Sequence, residues 1–332
     1  MKKIINQIDD IVIEMCEGIE KAHPDKIVFN SRYKILKRKN LNKDKVVLIS
    51  GGGSGHEPAH GGLVGIGMLD AAVCGDVFAS PSTTQVYNAI LDTESSKGTL
   101  LIIKNYSGDC MNFDAAAEMA YEDDNIAVEK VYVNDDIAVK DSLYTVGRRG
   151  VAGTVLVHKI AGAAAEQGKE LAEVRAIAEK VVANVRTIGF ALTSCTVPAK
   201  GTPTFEIADE EIEFGVGIHG EPGIARESIA TASELAKRQV KMIIEDLPFG
   251  SGDEVVLLVN GLGGTPLLEL YLLNNSVSKE IESHGVKIYK TMVGNYMTSL
   301  DMAGASITML KLDEELKELF DAPADTPAIK VL

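Results

Sequence analysis

The sequence has little that would indicate a nucleic-acid-binding or membrane protein. It contains no tryptophan, only 5% aromatic residues, and 33 lysines and arginines against 48 aspartates and glutamates. The formal net charge of -15 argues against a DNA or RNA partner, because phosphate binding requires a basic face. No apolar run approaches the roughly 20 residues of a membrane span. Small uncharged ligands and protein partners fit this composition better than nucleic acid or membrane.

Cysteine is also scarce. The four cysteines stand far apart and form no CxxC pair, which argues against a zinc knuckle or a disulfide framework. His23, His60, His158 and His284 show no metal-ligand spacing with a second histidine or a cysteine pair. The first 23 residues, "MKKIINQIDDIVIEMCEGIEKAH", carry acidic residues among the isoleucines and predict an amphipathic helix rather than a signal peptide. We therefore expect a cytoplasmic protein that binds no metal.

Short apolar runs alternate with alanine-rich segments along the whole chain. The runs at 45–50, 99–106, 254–264 and 307–312 are typical of strands buried on both faces, and the composition of 151–185 favours helix. This alternation predicts an α/β fold of two lobes, each a mainly parallel or mixed β-sheet flanked by helices. A stretch rich in proline, threonine and glycine follows the helical segment. We place a domain boundary there, giving domains 1–186 and 187–332.

The first of three glycine-rich corners is "LISGGGSGHEPAHGG", residues 48–62. Neither the P-loop pattern nor GxGxxG fits it, because a histidine stands where the third glycine should be and no lysine opens a helix. Its glycines let backbone N–H groups approach a ligand, and Ser54 and His56 add polar contacts. The corner predicts a site for a neutral hydroxylated ligand. The alternative is a tight turn with His56 as an ordinary polar residue.

Two further corners carry titratable residues. In "IIKNYSGDC", an apolar strand reaches Lys104 and turns into a helix near Asp109, which is either a helix cap or a catalytic acid or base. If both strands are parallel neighbours, their loops open at the same sheet edge. In "EEIEFGVGIH", apolar and polar residues alternate and predict a strand that ends at His219. His219 is either a nucleophile or a histidine that satisfies nearby backbone groups.

These three corners, together with other motifs along the chain, resemble those of a known protein family. With "SGGGSGHEP", "IIKNYSGD", "DSLYTVGRRGVAGT" and "EFGVGIHGEPGI", the chain resembles, nearly from end to end, the dihydroxyacetone-binding subunits of the bacterial phosphoenolpyruvate-dependent dihydroxyacetone kinases. The resemblance implies that His219 bonds to the keto carbon of dihydroxyacetone as a hemiaminal, with His56 and Asp109 as acid–base residues. The substrate-binding positions that it implies are Gly53, Ser54, Gly55, His56, Lys104, Asp109 and His219.

The resemblance also implies partners. This chain should form a homodimer and hold no cofactor of its own, while ADP or ATP and Mg²⁺ lie on a separate nucleotide-binding subunit that a phosphotransferase-system phosphocarrier recharges. The expected activity is phosphotransfer to dihydroxyacetone. One alternative is a dihydroxyacetone-sensing paralogue that serves as coactivator of a transcription factor. A dinucleotide-dependent ketone reductase is disfavoured by the failed GxGxxG match.

Overall fold

The protein is described here by a computed structural model that covers residues 2–142 and 144–332. Eight α-helices and fourteen strands are present in this part of the chain. The helices are α1 (Ile11–Ala22), α2 (Thr83–Thr93), α3 (Ser107–Asp124), α4 (Gly153–Glu166), α5 (Leu171–Asn184), α6 (Ala232–Asp246), α7 (Leu267–Ser283) and α8 (Glu314–Asp321). The strands are β1 (Ile27–Asn30), β2 (Ile35–Arg38), β3 (Val47–Ser54), β4 (Ala71–Val77), β5 (Thr99–Lys104), β6 (Val128–Val133), β7 (Val185–Ala191), β8 (Glu211–Phe214), β9 (Ala225–Ser228), β10 (Glu254–Gly261), β11 (Lys287–Gly294), β12 (Gly304–Leu312), β13 (Ala324–Asp325) and β14 (Lys330–Val331).

The first sheet has six strands in the order β1-β2-β4-β3-β5-β6. Its four strands β4, β3, β5 and β6 are mutually parallel, whereas β1 and β2 form an antiparallel edge. Both β3 and β5 are buried along their whole length. Continuous apolar runs suit such strands, because a parallel sheet covered by helices has no solvent-facing side.

The second sheet also has six strands, in the order β11-β10-β12-β7-β8-β9. Only β10 and β11 are parallel, and the other pairs are antiparallel. The predicted class, α/β with two lobes of mainly parallel or mixed sheets, is therefore confirmed. The four apolar runs became β3, β5, β10 and β12, as predicted.

Helix α4 joins the two halves of the molecule. It is buried on nearly all sides and contacts β3 and β5 of the first sheet as well as β7 and β12 of the second. A helix that is apolar all round belongs in an interior, which matches its sequence "GTVLVHKIAGAAAE". The C-terminal residues also return to the first half, where Asp325 donates its N–H to the carbonyl of Ile66. The boundary between 186 and 187 stays a prediction.

Of two local predictions, the helical one holds apart from a break, and the strand was predicted too long. The helical stretch 151–185 is two helices, because the chain reverses through Gly168, which has a φ of 79° that favours glycine. The strand expected to run to His219 ends at Phe214, and His219 lies in the turn that follows. Within the described residues, no helix is long and apolar enough to cross a membrane.

Candidate functional site

The first two glycine-rich corners meet at one edge of the first sheet. Strands β3 and β5 are parallel neighbours, with Val47 opposite Thr99 and Ser50 opposite Ile102. Their carboxyl ends therefore open on the same side, where ligands bind in open α/β sheets. The loop after β3 carries His56, and the turn after β5 leads into α3 and Asp109. The predicted convergence of these two corners is confirmed.

His56 is fully buried and held on both sides of its ring. Its Nδ1 donates to the carbonyl of Thr298 at 2.7 Å, and its ring stacks on Phe78 with the ring centres 5.1 Å apart. Burial, together with the charges of His219 and Lys104, lowers the pKa of His56 well below its usual value. His56 is therefore a neutral imidazole whose Nε2 points towards the third corner.

Asp109 and Lys104 form a buried ion pair. Lys104 Nζ lies 3.2 Å from Asp109 Oδ2 and 3.3 Å from the carbonyl oxygen of Gly51, and Lys104 has no exposed surface. Gly52 makes room for this pair, since a Cβ on it would lie 2.2 Å from Lys104 Nζ. The other oxygen, Asp109 Oδ1, is buried and has no hydrogen-bond partner among the described residues. It is thus available to a ligand hydroxyl.

Asp109 is not the helix cap that was the alternative prediction. Helix α3 begins at Ser107, and Tyr106 occupies the cap position without a side-chain hydrogen bond. The Asp109 carboxylate sits in the first helical turn, where the helix dipole favours a negative charge.

His219 lies opposite His56. The two Nε2 atoms are 3.1 Å apart and the rings meet edge to face. On its other side, His219 Nδ1 lies 3.1 Å from Glu221 Oε1, while the His219 backbone N–H donates to Glu221 Oε2 at 2.9 Å. The side chain of His219 is 14% exposed and that of Glu221 only 1%. The turn therefore holds one imidazole between a carboxylate and a second imidazole.

The glycines around His219 serve this turn. A Cβ on Gly217 would lie 2.0 Å from Glu221 Oε2 and 2.7 Å from an Arg149 nitrogen. The bare backbone at Gly217 therefore makes room for the Glu221 carboxylate. His219 reaches the ligand side because the loop folds back around its own glutamate.

A pocket of about 410 Å³ opens at this point. Its walls include Gly53, Asp109 and His219 from the predicted set, and Tyr144 lies at its exposed side. The lining residues are Gly53, Phe78, Ser80, Tyr106, Ser107, Gly108, Asp109, Tyr144, Val197, Thr204 and His219.

Other predicted residues lie behind this wall. Lys104 and His56 touch Asp109 and His219 respectively, as described above. Ser54 turns away, donating its hydroxyl to the carbonyl of Gly75 at 2.8 Å, and the Gly55 N–H donates to the Glu57 carboxylate. The structure therefore brings Gly53, Asp109 and His219 to the pocket surface.

Sequence reasoning missed three contributors. Tyr106 places its ring edge to face with His219, ring centres 4.6 Å apart, and burial raises the pKa of its hydroxyl well above the usual value. Glu221 was not considered. Arg149 is fully buried and paired with Asp136 at 2.7 Å. The glutamate two residues after a glycine-flanked histidine was the one signal that could have been used.

A larger cavity lies elsewhere. About 540 Å³ in volume, it lies beside β6 and α5 and contains none of the predicted site residues. Its basic side chains already face carboxylates, as Arg148 does with Asp246 and Arg175 with Glu129. The chemistry therefore points to the smaller pocket. Among the described residues, no three histidine, cysteine, aspartate or glutamate side chains are grouped as metal ligands.

Comparison with known proteins places the chain in a family. The Dak1 domain model matches residues 17–328. The chain belongs to the Dak1 domain family. The chain is 54% identical over 329 residues to a protein of Listeria innocua serovar 6a, the PTS-dependent dihydroxyacetone kinase 1, dihydroxyacetone-binding subunit DhaK, covering 99% of this chain and 100% of the relative. Relatives from Listeria innocua, Lactococcus lactis and Escherichia coli are named as dihydroxyacetone-binding subunits of dihydroxyacetone kinases, which confirms the predicted resemblance and the predicted enzyme class, a phosphotransferase.

Solved structures of Dak1 relatives share the fold. The dihydroxyacetone kinase operon co-activator DhaQ superimposes with a TM-score of 0.91 at 36% identity, covering 98% of this chain and 99% of that one. The native dihydroxyacetone kinase of C. freundii gives a TM-score of 0.89, also at 36% identity. The match covers 99% of this chain but 60% of that longer protein. The chain is 54% identical to the Listeria innocua kinase subunit and 36% identical to the co-activator, so the comparisons do not favour the coactivator alternative.

Proposed function

We propose that this chain is the dihydroxyacetone-binding subunit of a phosphotransferase-system-dependent dihydroxyacetone kinase. It binds dihydroxyacetone covalently on His219 and presents a hydroxyl group for phosphorylation by a separate subunit, giving dihydroxyacetone phosphate. The observation that carries this proposal is the placement of His219 in the wall of the pocket, with Asp109 in the same wall. The names of the relatives supply the substrate class.

The geometry supports His219 as the nucleophile. Because the Glu221 carboxylate accepts from Nδ1, the Nε2 atom of His219 can offer its lone pair to a carbonyl carbon. The Nε2–C bond forms, the π pair of the C=O bond moves to the oxygen, and that oxygen is protonated, giving a hemiaminal. Glycerol has no carbonyl carbon and cannot form this bond. The covalent step therefore separates two nearly isosteric molecules that hydrogen bonds alone discriminate poorly.

Asp109 supports the second step. Its free Oδ1 can accept the proton of the substrate hydroxyl as that oxygen attacks the phosphoryl group. Lys104 holds the other oxygen and fixes the orientation of the carboxylate. His56, at 3.1 Å from His219, lies within reach of a molecule bonded to that ring.

The phosphoryl donor is proposed to come from elsewhere. Phosphoryl transfer requires a nucleotide and metal ions, which we assign, as ADP or ATP with Mg²⁺, to a nucleotide-binding partner recharged by a phosphocarrier. The relatives are named as subunits of such systems, and the pocket reaches the surface beside Tyr144. A homodimer and a cytoplasmic location are part of the same proposal. The four free cysteines are consistent with a reducing compartment.

The covalent step can be tested with dihydroxyacetone carrying ¹³C at the keto carbon. We expect a protein-bound signal in the tetrahedral carbon region, which is lost in His219→Ala. His284→Ala is the matched control, since His284 is an exposed helix-end histidine that contacts Glu280. Turnover is followed as triose phosphate after adding the partner subunit and the phosphocarrier. Tight binding without turnover in that complete system would defeat the kinase assignment.

A further inference from the structure

The contact between His56 and His219 poses a question about protons. The Nδ1 of His56 faces a carbonyl oxygen, and the Nδ1 of His219 faces a carboxylate, so both Nδ1 atoms must be donors. If both rings were neutral, each Nε2 atom would carry a lone pair and neither could donate a hydrogen bond. They face each other at 3.1 Å, a hydrogen-bond distance that requires one donor.

We infer that, in the substrate-free protein, the Nε2 atoms of His219 and His56 share one proton, which the Glu221 carboxylate stabilises from the far side of His219. Glu221 is thus a positioning residue that sets both the tautomer and the charge of the nucleophile. This inference rests on the proposed function for its role in catalysis, but the shared proton is a property of the free protein.

The surroundings favour a positive charge on the His219 side. Both oxygens of Glu221 are directed at His219, and Arg149, braced by Asp136, lies behind them. Burial alone would raise the pKa of Glu221, but the interactions with His219 and Arg149 hold it at about 2. The charge of Lys104 also disfavours a second proton on His56. Tyr106, whose ring meets that of His219 edge to face, has a buried hydroxyl with a raised pKa and stays neutral, and Asp109 lies in the same pocket wall, paired with Lys104.

The shared proton supplies the proton that the carbonyl oxygen needs in the covalent step, so no proton from solvent is required. When the ketone enters, the proton passes to His56 Nε2, which frees the lone pair of His219 Nε2. The Nε2–C bond forms, the carbonyl π pair moves to oxygen, and His56 returns the proton to that oxygen. The adduct then carries its positive charge on the substituted ring of His219, still opposite Glu221. The net charge of the site is the same before and after.

The first test needs no substrate. In ¹⁵N-histidine-labelled protein at pH 7, we expect nitrogen shifts of one charged ring, His219, and one neutral ring, His56, assigned with His219→Ala and His56→Asn. His60 and His158 form a second buried pair, 3.0 Å apart with no carboxylate partner, and should read as neutral. Neutral rings at both His219 and His56 would overturn the inference, whether or not dihydroxyacetone binds.

The second test measures protons during binding. Calorimetry of dihydroxyacetone binding in two buffers of different ionisation enthalpy should show no net proton uptake by the native protein. Glu221→Gln should take up close to one proton and bind roughly 10- to 100-fold more weakly, as expected for losing a charged hydrogen bond. Glu213→Gln is the matched control, because Glu213 is a buried carboxylate of the preceding strand β8 that contacts Gly223 and Arg226 instead of a histidine. Uptake near one proton by the native protein would contradict the shared proton, whereas no adduct at all would contradict only the proposed function.

Discussion

Replacing Asp109 by asparagine separates two roles of its carboxylate, the proposed role as general base and the neutralisation of Lys104. The shape of the side chain is kept, so the pocket and His219 are unchanged and the hemiaminal should still form. The general base is lost, and turnover should fall roughly 10²- to 10⁴-fold. Binding of dihydroxyacetone should change far less, because the proposed covalent bond is made by His219.

The same substitution has a cost in stability that follows from burial. Lys104 is fully buried, and after the change its ammonium retains only the carbonyl of Gly51 and a neutral amide as partners. Removing one member of a buried ion pair typically costs about 3–5 kcal/mol, and the retained amide oxygen places our expectation at about 3 kcal/mol. Adding Lys104→Met should restore most of the unfolding free energy, since the unpaired charge is then absent, without restoring turnover.

The assay follows both quantities in the same three proteins. Urea unfolding gives stability, and triose phosphate formation, coupled to NADH oxidation in the complete system, gives turnover. If Asp109→Asn turns over within tenfold of the native protein, Asp109 is not the base. If its stability is unchanged, the buried pair with Lys104 is not an important ionic contact.

Two other predictions concern the buried histidines and the glycine beside Glu221. Burial lowers the pKa of His158 to about 3, so below pH 6.5 the unfolded chain binds a proton that the folded protein excludes. The stability advantage of the native protein over His158→Gln should therefore shrink by about 1.4 kcal/mol per pH unit as the pH falls from 6.5. A difference in urea unfolding that stays constant with pH would refute this. Gly217→Ala should displace Glu221 and weaken the ¹³C adduct signal at least tenfold, while Gly18→Ala, in open space on α1, should not; equal signals would contradict the role of Gly217.

The fold was largely predictable because its central strands β3, β5, β10 and β12 are short, apolar and almost wholly buried. "KVVLIS" and "EVVLLVNGLGG" carry that information in consecutive residues, so no distant contact is needed to interpret them. The errors lie where local signals are ambiguous. Alanine-rich sequence continues on both sides of Gly168, and alternation continues beyond Phe214, although the backbone changes direction at both places.

The site was predictable in part for the same reason. Glycines followed by histidine, or a strand followed by a short polar turn, indicated His56, Asp109 and His219 as residues at the ends of strands. The pairing of Asp109 with Lys104 is close in sequence but depends on Gly52 of a neighbouring strand. Glu221 was missed because a glutamate in a polar loop usually faces water, and only its burial shows otherwise.

The sequence by itself determined the α/β class, the family and the three glycine-rich corners to which we assign the chemistry, because contiguous residues encode each of them. The tertiary structure alone decided that His56 and His219, 163 positions apart, meet at Nε2, and that Glu221 and the carbonyl of Thr298 set the proton on each ring. The physical reason is that a proton's position depends on which donors and acceptors face each other across space, and that pairing exists only once both sheets have packed around α4.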